Sequence, residues 1–319
     1  LFNLVRLVQN ENMKIFRRIG TWVMIGLLLL ATGVLGIMIK QNLFGDDDLG
    51  PNWKQKLEKQ VKQDQKLLKS EDIPPSAKEH YEKNIQINQH RIDHEIVPEG
   101  QTLWGYMYKT ADVTSLITLF TIIVGATSVA GEFSWGTIKL LLIRSASRSK
   151  ILLSKYLSTL LFALALLAIL FLFSLVFGAI LFGFGGWDTP HLTYDNGQVI
   201  EHNQILHVLS LYGLECVNLL MMVTFAFMIS TVFRSSSLAI GLAIFLMFAG
   251  TNAVGILSFQ GYEWVKYILF ANTDLSQYLE GEPLIKGMTL PFSVTVLAVY
   301  FFIFNAISWI VFKKRDVAA

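Results

Sequence analysis

The run IGTWVMIGLLLLATGVLGIMI, residues 19–39, contains no charged side chain and no proline. A helix of that length rises about 30 Å, the thickness of a bilayer hydrocarbon core. Backbone N–H and C=O groups have no water to bond there, so a spanning segment must be a helix or part of a closed barrel. Five further stretches reach spanning length within error, at about 113–130, 156–184, 205–232, 237–259 and 289–312. Together the six predict an all-α polytopic membrane protein. Composition agrees: 16% of the residues are charged, against about 25% in soluble domains.

Lys and Arg in the short connecting segments set the expected orientation. Arg6, Lys14, Arg17 and Arg18 precede the first run, and Lys139, Arg144, Arg148, Lys150 and Lys155 follow the second. Arg234 lies after the fourth, and Lys313, Lys314 and Arg315 follow the sixth. Six spans place all of these on one side, with both termini cytoplasmic. The segment 185–204 carries Asp188, Asp195 and Glu201 with no base, and 260–288 is net acidic, so both are expected outside.

By the same count, residues 40–112 lie outside. Trp53, Leu57, Val61 and Leu68 recur at helical spacing, Pro74 and Pro75 break the pattern, and Tyr81, Ile85, Ile92 and Ile96 mark a second apolar stripe. Ser76 and Glu79 form a capping-box pattern at the start of that second arm. This predicts an extracytoplasmic helical hairpin. Residues 1–18 place Leu4, Val5, Val8, Ile15 and Phe16 among bases, the pattern of a cytoplasmic interfacial amphipathic helix. The aromatic residues Tyr262, Trp264, Tyr267 and Tyr278 in 260–288 suit short helices near the outer interface.

Several chemistries are excluded or weakened. No Gly-Lys dipeptide occurs, so the chain has no P-loop for ATP, and no other catalytic motif singles out a nucleophile and base. The chain is therefore not expected to be an enzyme or to bind a cofactor of its own. A net charge of +2 does not call for a nucleic-acid partner. Cys216 is the one cysteine, so no intrachain disulfide can form. His90 and His94, four apart on one helical face, are weak metal-ligand candidates. Glu215 stands well inside an expected span, with Asn218 on the same face; the pair must meet protein or water, either on a transport route or at a helix joint.

The segment GEFSWGTIKLLLIRSASRSKILLSK, from residue 131, joins the second and third runs. Trp135, Ile138 and Leu142 share one helical face, which predicts a short amphipathic helix within 131–150 followed by a basic tail. Such a segment suits lipid head groups or a protein partner. It resembles the coupling segment of bacterial ABC-2-type transporter permeases, through Glu132, Gly136, Thr137, Lys139, Arg144, Ser147, Arg148, Ser154 and Lys155. The six-span layout extends the resemblance to nearly the whole chain.

The resemblance implies a permease subunit of an ATP-driven exporter in the bacterial plasma membrane, paired with a second permease copy or a related one. ATP and Mg would bind to a separate nucleotide-binding ATPase subunit, which would engage Glu132, Trp135, Gly136, Thr137, Lys139, Arg144 and Arg148. The large outside insert points toward relatives linked to antimicrobial peptides, antibiotics, lipid-like molecules or cations. Two other classes stay open from the residues: a membrane sensor or scaffold whose outside hairpin binds a ligand, and a proton-coupled secondary transporter using Glu215. Inverted repeats, which would favour the last, are not visible in the sequence.

Overall fold

The computed structural model describes residues 2–41, 43, 52–69, 75–98, 100–138, 147–185, 189–195, 197–281, 283–285 and 287–314. Among these, six helical segments are long and apolar enough to cross a membrane: Ile19–Lys40, Leu103–Ser128, Arg148–Phe182, Gln204–Val232, Ser236–Phe259 and Leu290–Lys314. The protein is an all-α polytopic membrane protein, with one small strand pair outside the spans.

Helix α1 (Phe2–Phe16) precedes the first span, α2 (Ile19–Lys40). Arg18 breaks the helix with extended backbone. Thr21 Oγ1 then donates to Ile15 O at 2.6 Å and Trp22 Nε1 to Phe16 O at 2.9 Å. These side chains bond carbonyls of the last turn of α1, where helical N–H donors run out. The elbow turns α1 against the third span, where Ser158 Oγ donates to Val8 O and Phe16 meets the edge of Phe162.

The segment between the first two spans contains α3 (Trp53–Leu68) and α4 (Pro75–Asp93), packed as the expected hairpin. Leu57 and Val61 are buried on the apolar face of α3. The side chains of Ser76 and Glu79, and so the expected capping box, lie outside the described residues. The hairpin rests on strands β1 (His191–Asp195) and β2 (Gln198–His202), an antiparallel pair in which His191 faces His202.

The second spanning helix starts at Leu103, not near 113, so the segment between the first two spans is shorter than 40–112. It consists of α5 (Leu103–Thr110), one 3-10 turn (Ala111–Val113) and α6 (Thr114–Ser128). Lys109 and Asp112 interrupt the apolar run, yet Leu103, Trp104, Tyr106 and Met107 are buried in the helix bundle. The third span, α8 (Arg148–Phe182), has 35 residues. At 1.5 Å each it is about 52 Å long, so its first turns stand outside a ~30 Å hydrocarbon core. The remaining spans are α9 (Gln204–Val232), α10 (Ser236–Phe259) and α12 (Leu290–Lys314). Asn203 and Ser235 cap α9 and α10 by accepting from Leu206 N and Leu238 N.

Helix α6 packs along α9, and a short helix α7 (Ala130–Ser134) follows α6. Ser230 Oγ of α9 secures the break between them: it donates to Ala126 O at 2.7 Å and accepts from Val129 N and Ala130 N, both at 3.0 Å. On the hairpin side, the segment before the last span contains a 3-10 turn (Glu263–Tyr267), α11 (Leu269–Asn272) and a further turn (Ser276–Tyr278). Buried Asn272 donates to Lys266 O and Ile268 O and accepts from Ser293 Oγ. Tyr262, Trp264 and Tyr267 are exposed, as an interfacial belt requires.

Three helices meet closely at Tyr106, which is fully buried and donates to Thr32 O at 3.0 Å. A Cβ built on Gly178 would sit 2.6 Å from the Tyr106 ring, and one on Gly36 would sit 3.0 Å from it. We expect Gly178→Val to lower stability by about 1–3 kcal/mol through overpacking, read as a fall in thermal midpoint in detergent. Gly241→Ala, whose added Cβ meets nothing within 4 Å, should leave the midpoint close to wild type.

Candidate functional site

At the end of the molecule that carries α1, the start of α8 and the end of α12, four charged groups form one tie. Lys155, in the second turn of α8, is 3% exposed. Its Nζ donates to Glu132 Oε1 at 2.7 Å and to Glu11 Oε2 at 2.9 Å. Lys14 Nζ bonds Glu11 Oε1 at 2.7 Å and lies 3.4 Å from Glu132 Oε1. Two carboxylates thus face two ammonium groups. A buried ammonium left alone would cost several kcal/mol, and the tie supplies Lys155 with two counter-charges.

Each partner comes from a different element. Glu11 and Lys14 lie one turn apart on α1, Glu132 is in α7, and Lys155 is in α8. Thr137 Oγ1 reaches back to Glu132 Oε2. That return needs a sharp turn, which Gly136 provides at φ +69°, a left-handed conformation costly for other residues. Burial raises the Glu132 carboxyl. The Lys155 ammonium and hydrogen bonds from Lys155 and Thr137 outweigh it and hold the group at about 2, below its ordinary 4.5. Burial acts on Glu11 in the same way, and Lys155 and Lys14 bring it below its ordinary value.

The tie borders a cavity of about 320 Å³ that Arg18, Thr127, Trp135 and Ser158 help to line. The Arg18 guanidinium stands over the Trp135 ring, 5.1 Å from its centroid. Ser134 Oγ accepts from Ser236 N at 2.9 Å and donates to Arg234 O at 3.3 Å. The chain at 130–137 is thereby fastened to α1, to the third span and to the link between the fourth and fifth.

The expected amphipathic helix is only partly within the described residues. Lys139, Arg144 and Leu142 lie outside them. Trp135 and Ile138 do not share one helical face, because the turn at Gly136 separates them; Trp135 is exposed and Ile138 is buried. Arg148 opens α8 and donates to Lys313 O at 3.1 Å, joining the third span to the sixth. Glu11 escaped the sequence reading, although it is the lone acid in a helix otherwise patterned by bases and apolar residues.

Glu215 and Asn218 are joined by a 3.1 Å hydrogen bond from Asn218 Nδ2. They line a cavity of about 560 Å³ among the second, fourth and fifth spans, together with Asp112, Ser115, Thr251 and Asp274. Lys109 and Asp112 join Glu215 as ionisable groups within the spans once the second span starts at Leu103. His90 and His94 stack at 4.1 Å, and His90 Nε2 lies 2.8 Å from Glu201 Oε1, while His94 Nδ1 is engaged with His90 O. Among the described residues, the group of three metal-type donors within 4.8 Å is a different one, His191, His207 and Glu280.

A family model described as "Protein of unknown function (DUF2705)" matches residues 87–318, most of the chain. The chain belongs to this family. The match includes Glu132, Lys155 and Glu215 and begins after α1, so Glu11 and Lys14 lie outside it. The chain is similar to "Uncharacterized protein YhcI" of Bacillus subtilis (strain 168), 48% identical over 318 residues, covering 99% of this chain and 100% of the relative. It is also similar to "Uncharacterized membrane protein YdbK" of the same strain, 31% identical over 214 residues, covering 67% of this chain and 82% of that relative.

Removing Lys155 alone should cost more than replacing it together with both acids. Lys155→Ala leaves Glu11 and Glu132 to share Lys14 and should destabilise the chain by roughly 3–5 kcal/mol. Combining Lys155→Met with Glu11→Gln and Glu132→Gln should recover most of that loss, measured by thermal unfolding in detergent. The sign with pH follows from lowered folded-state values: the contribution of Glu132 is complete above its ordinary 4.5 and is lost as pH falls through about 2. Glu132→Gln should remove this acid-side dependence.

Proposed function

We propose that this chain is the membrane-spanning permease subunit of an ATP-driven exporter, with 131–150 as the segment that receives motion from a separate ATPase. The observation that carries the reading is the buried tie. A segment that transmits force must be joined rigidly to the spans it moves. Here Glu132 is held to the third span through Lys155 and to α1 through Lys155 and Lys14, at the base of the second span.

Three further features support it. The segment from 131 resembles the coupling segment of ABC-2-type permeases. The sequence lacks a P-loop, which fits hydrolysis in another subunit. The bases of the short segments gather at the end that carries the tie, which by the positive-inside rule faces the cytoplasm of a bacterial plasma membrane. The cavity at Glu215 offers a substrate route whose lining combines acids with Met222, Met247, Phe248 and Phe270. That lining suits a cationic amphiphile such as an antimicrobial peptide.

The test is purification of the intact chain from its native membrane in a mild detergent or nanodisc. We expect a P-loop ATPase to accompany it and Arg144→Glu to reduce its recovery. Recovery of the folded chain without such an ATPase counts against the exporter. A sensor would tolerate charge reversal at Arg144, and a proton-coupled carrier would lose pH-driven flux on Glu215→Gln without any ATPase present.

A further inference from the structure

We propose that His191, His207 and Glu280 bind a first-row divalent metal ion of the zinc class at the hairpin end of the chain. His207 Nε2 lies 3.2 Å and His191 Nε2 3.7 Å from Glu280 Oε1. All three donor atoms are within 4.8 Å of one another. Tetrahedral zinc with bonds of about 2.1 Å places neighbouring ligand atoms about 3.4 Å apart, so the observed separations bracket the required edge.

The donor chemistry narrows the ion. Two imidazoles and one carboxylate suit zinc and its neighbours, whereas magnesium and calcium take oxygen ligands. The histidines are 7% and 5% exposed, so the ligands are held by the fold and not displayed on a surface. His191 and His207 stack with centroids 3.8 Å apart and planes 19° apart. Binding one ion through both rings opens that angle, a rotation that the broad second torsion of histidine allows.

The surroundings have the features of a metal shell. Tyr108 OH donates to Glu280 Oε1 at 3.0 Å, orienting the carboxylate. Such outer contacts tune metal affinity. A cavity of about 330 Å³, lined in part by His202, His207 and Tyr278, adjoins the group and gives entry for the ion and for a water as fourth ligand. His202 itself is engaged with Thr193 Oγ1 at 2.8 Å.

The ligands come from three separate segments. His191 begins β1, His207 lies in the first turn of the fourth span, and Glu280 follows the turn Ser276–Tyr278. Lys83 of α4 donates to Glu280 O at 3.4 Å, bringing the helical hairpin to the same point. An ion here clamps the strand pair, the fourth span and the segment before the sixth. This site stands independently of the exporter reading.

The experiment is zinc titration of the full chain in detergent, purified without a polyhistidine tag, followed by calorimetry and thermal unfolding. Cobalt serves as a visible-absorption probe of the same site. We expect one equivalent to bind and to raise the thermal midpoint. His207→Ala and Glu280→Gln should each weaken binding at least tenfold and abolish the midpoint shift. Tyr108→Phe should weaken binding while keeping the one-to-one stoichiometry. His90→Ala with His94→Ala should change neither. Undiminished binding by Glu280→Gln and His207→Ala overturns the proposal, as does loss of binding in the His90 and His94 variant or no zinc binding by the folded wild type.

Discussion

Lys155 imposes the constraint around which one end of this molecule is arranged. Its ammonium is buried inside the protein, where an unpaired charge is costly. One carboxylate would balance the charge, but two fix its direction. Glu132 and Glu11 reach it from separate elements, and Lys14 balances the second acid. The position of α1 against the third span follows from this, as does the sharp turn at Gly136 that returns Thr137 to Glu132. The elbow at Arg18 then has one task, to let the first span leave α1 without moving Glu11 from Lys155.

A second constraint acts at the opposite end. The chain between the fifth and sixth spans turns back toward the bundle, so its irregular backbone must find partners inside the protein. Asn272 supplies them: its amide bonds two carbonyls of its own loop, and its oxygen receives Ser293 from the sixth span. Tyr278 bonds the same serine at 2.6 Å. Ser230 serves the same purpose at the break after the second span. Short polar side chains thus close the places where helical backbone is interrupted.

The spans were legible because bilayer thickness demands a long apolar run whatever the helix packs against. The start of the second span was not, since Lys109 and Asp112 read as the edge of an aqueous segment. Only the bundle shows that Leu103, Tyr106 and Met107 are already inside it. The strand pair left a local signal, the Asp195-Asn196-Gly197 sequence typical of tight hairpins, with Gly197 at φ +85°. The candidate Glu132 stood out as an acid beside a basic tail. Its partnership with Glu11 spans more than a hundred residues and leaves no periodic trace. The pairing of Glu280 with His191 and His207 is hidden for the same reason.

Burial is distributed unevenly among the spans, and this shapes how motion can pass through the chain. In an apolar stretch of eighteen residues from each span, 61% of the residues are buried in the second and fourth and 17% in the fifth and sixth. Spans two and four therefore form the interior, while five and six present Phe245, Phe302 and Ile310 outward to lipid or to another copy. The tie at Lys155 lies at the foot of the second span, and the close packing of Tyr106 on Gly178 lies near its other end. Between them, Asp112, Glu215 and Asn218 open the larger cavity on the same span. On the exporter reading, a push delivered at Glu132 travels along the second span, which borders the cavity together with the fourth and fifth, packs on the third at both ends, and meets the histidine cluster through Tyr108. On the same reading the fifth span, less buried than the second and fourth, is the cavity wall that shifts, and Ser134 and Ser236 join its start to α7.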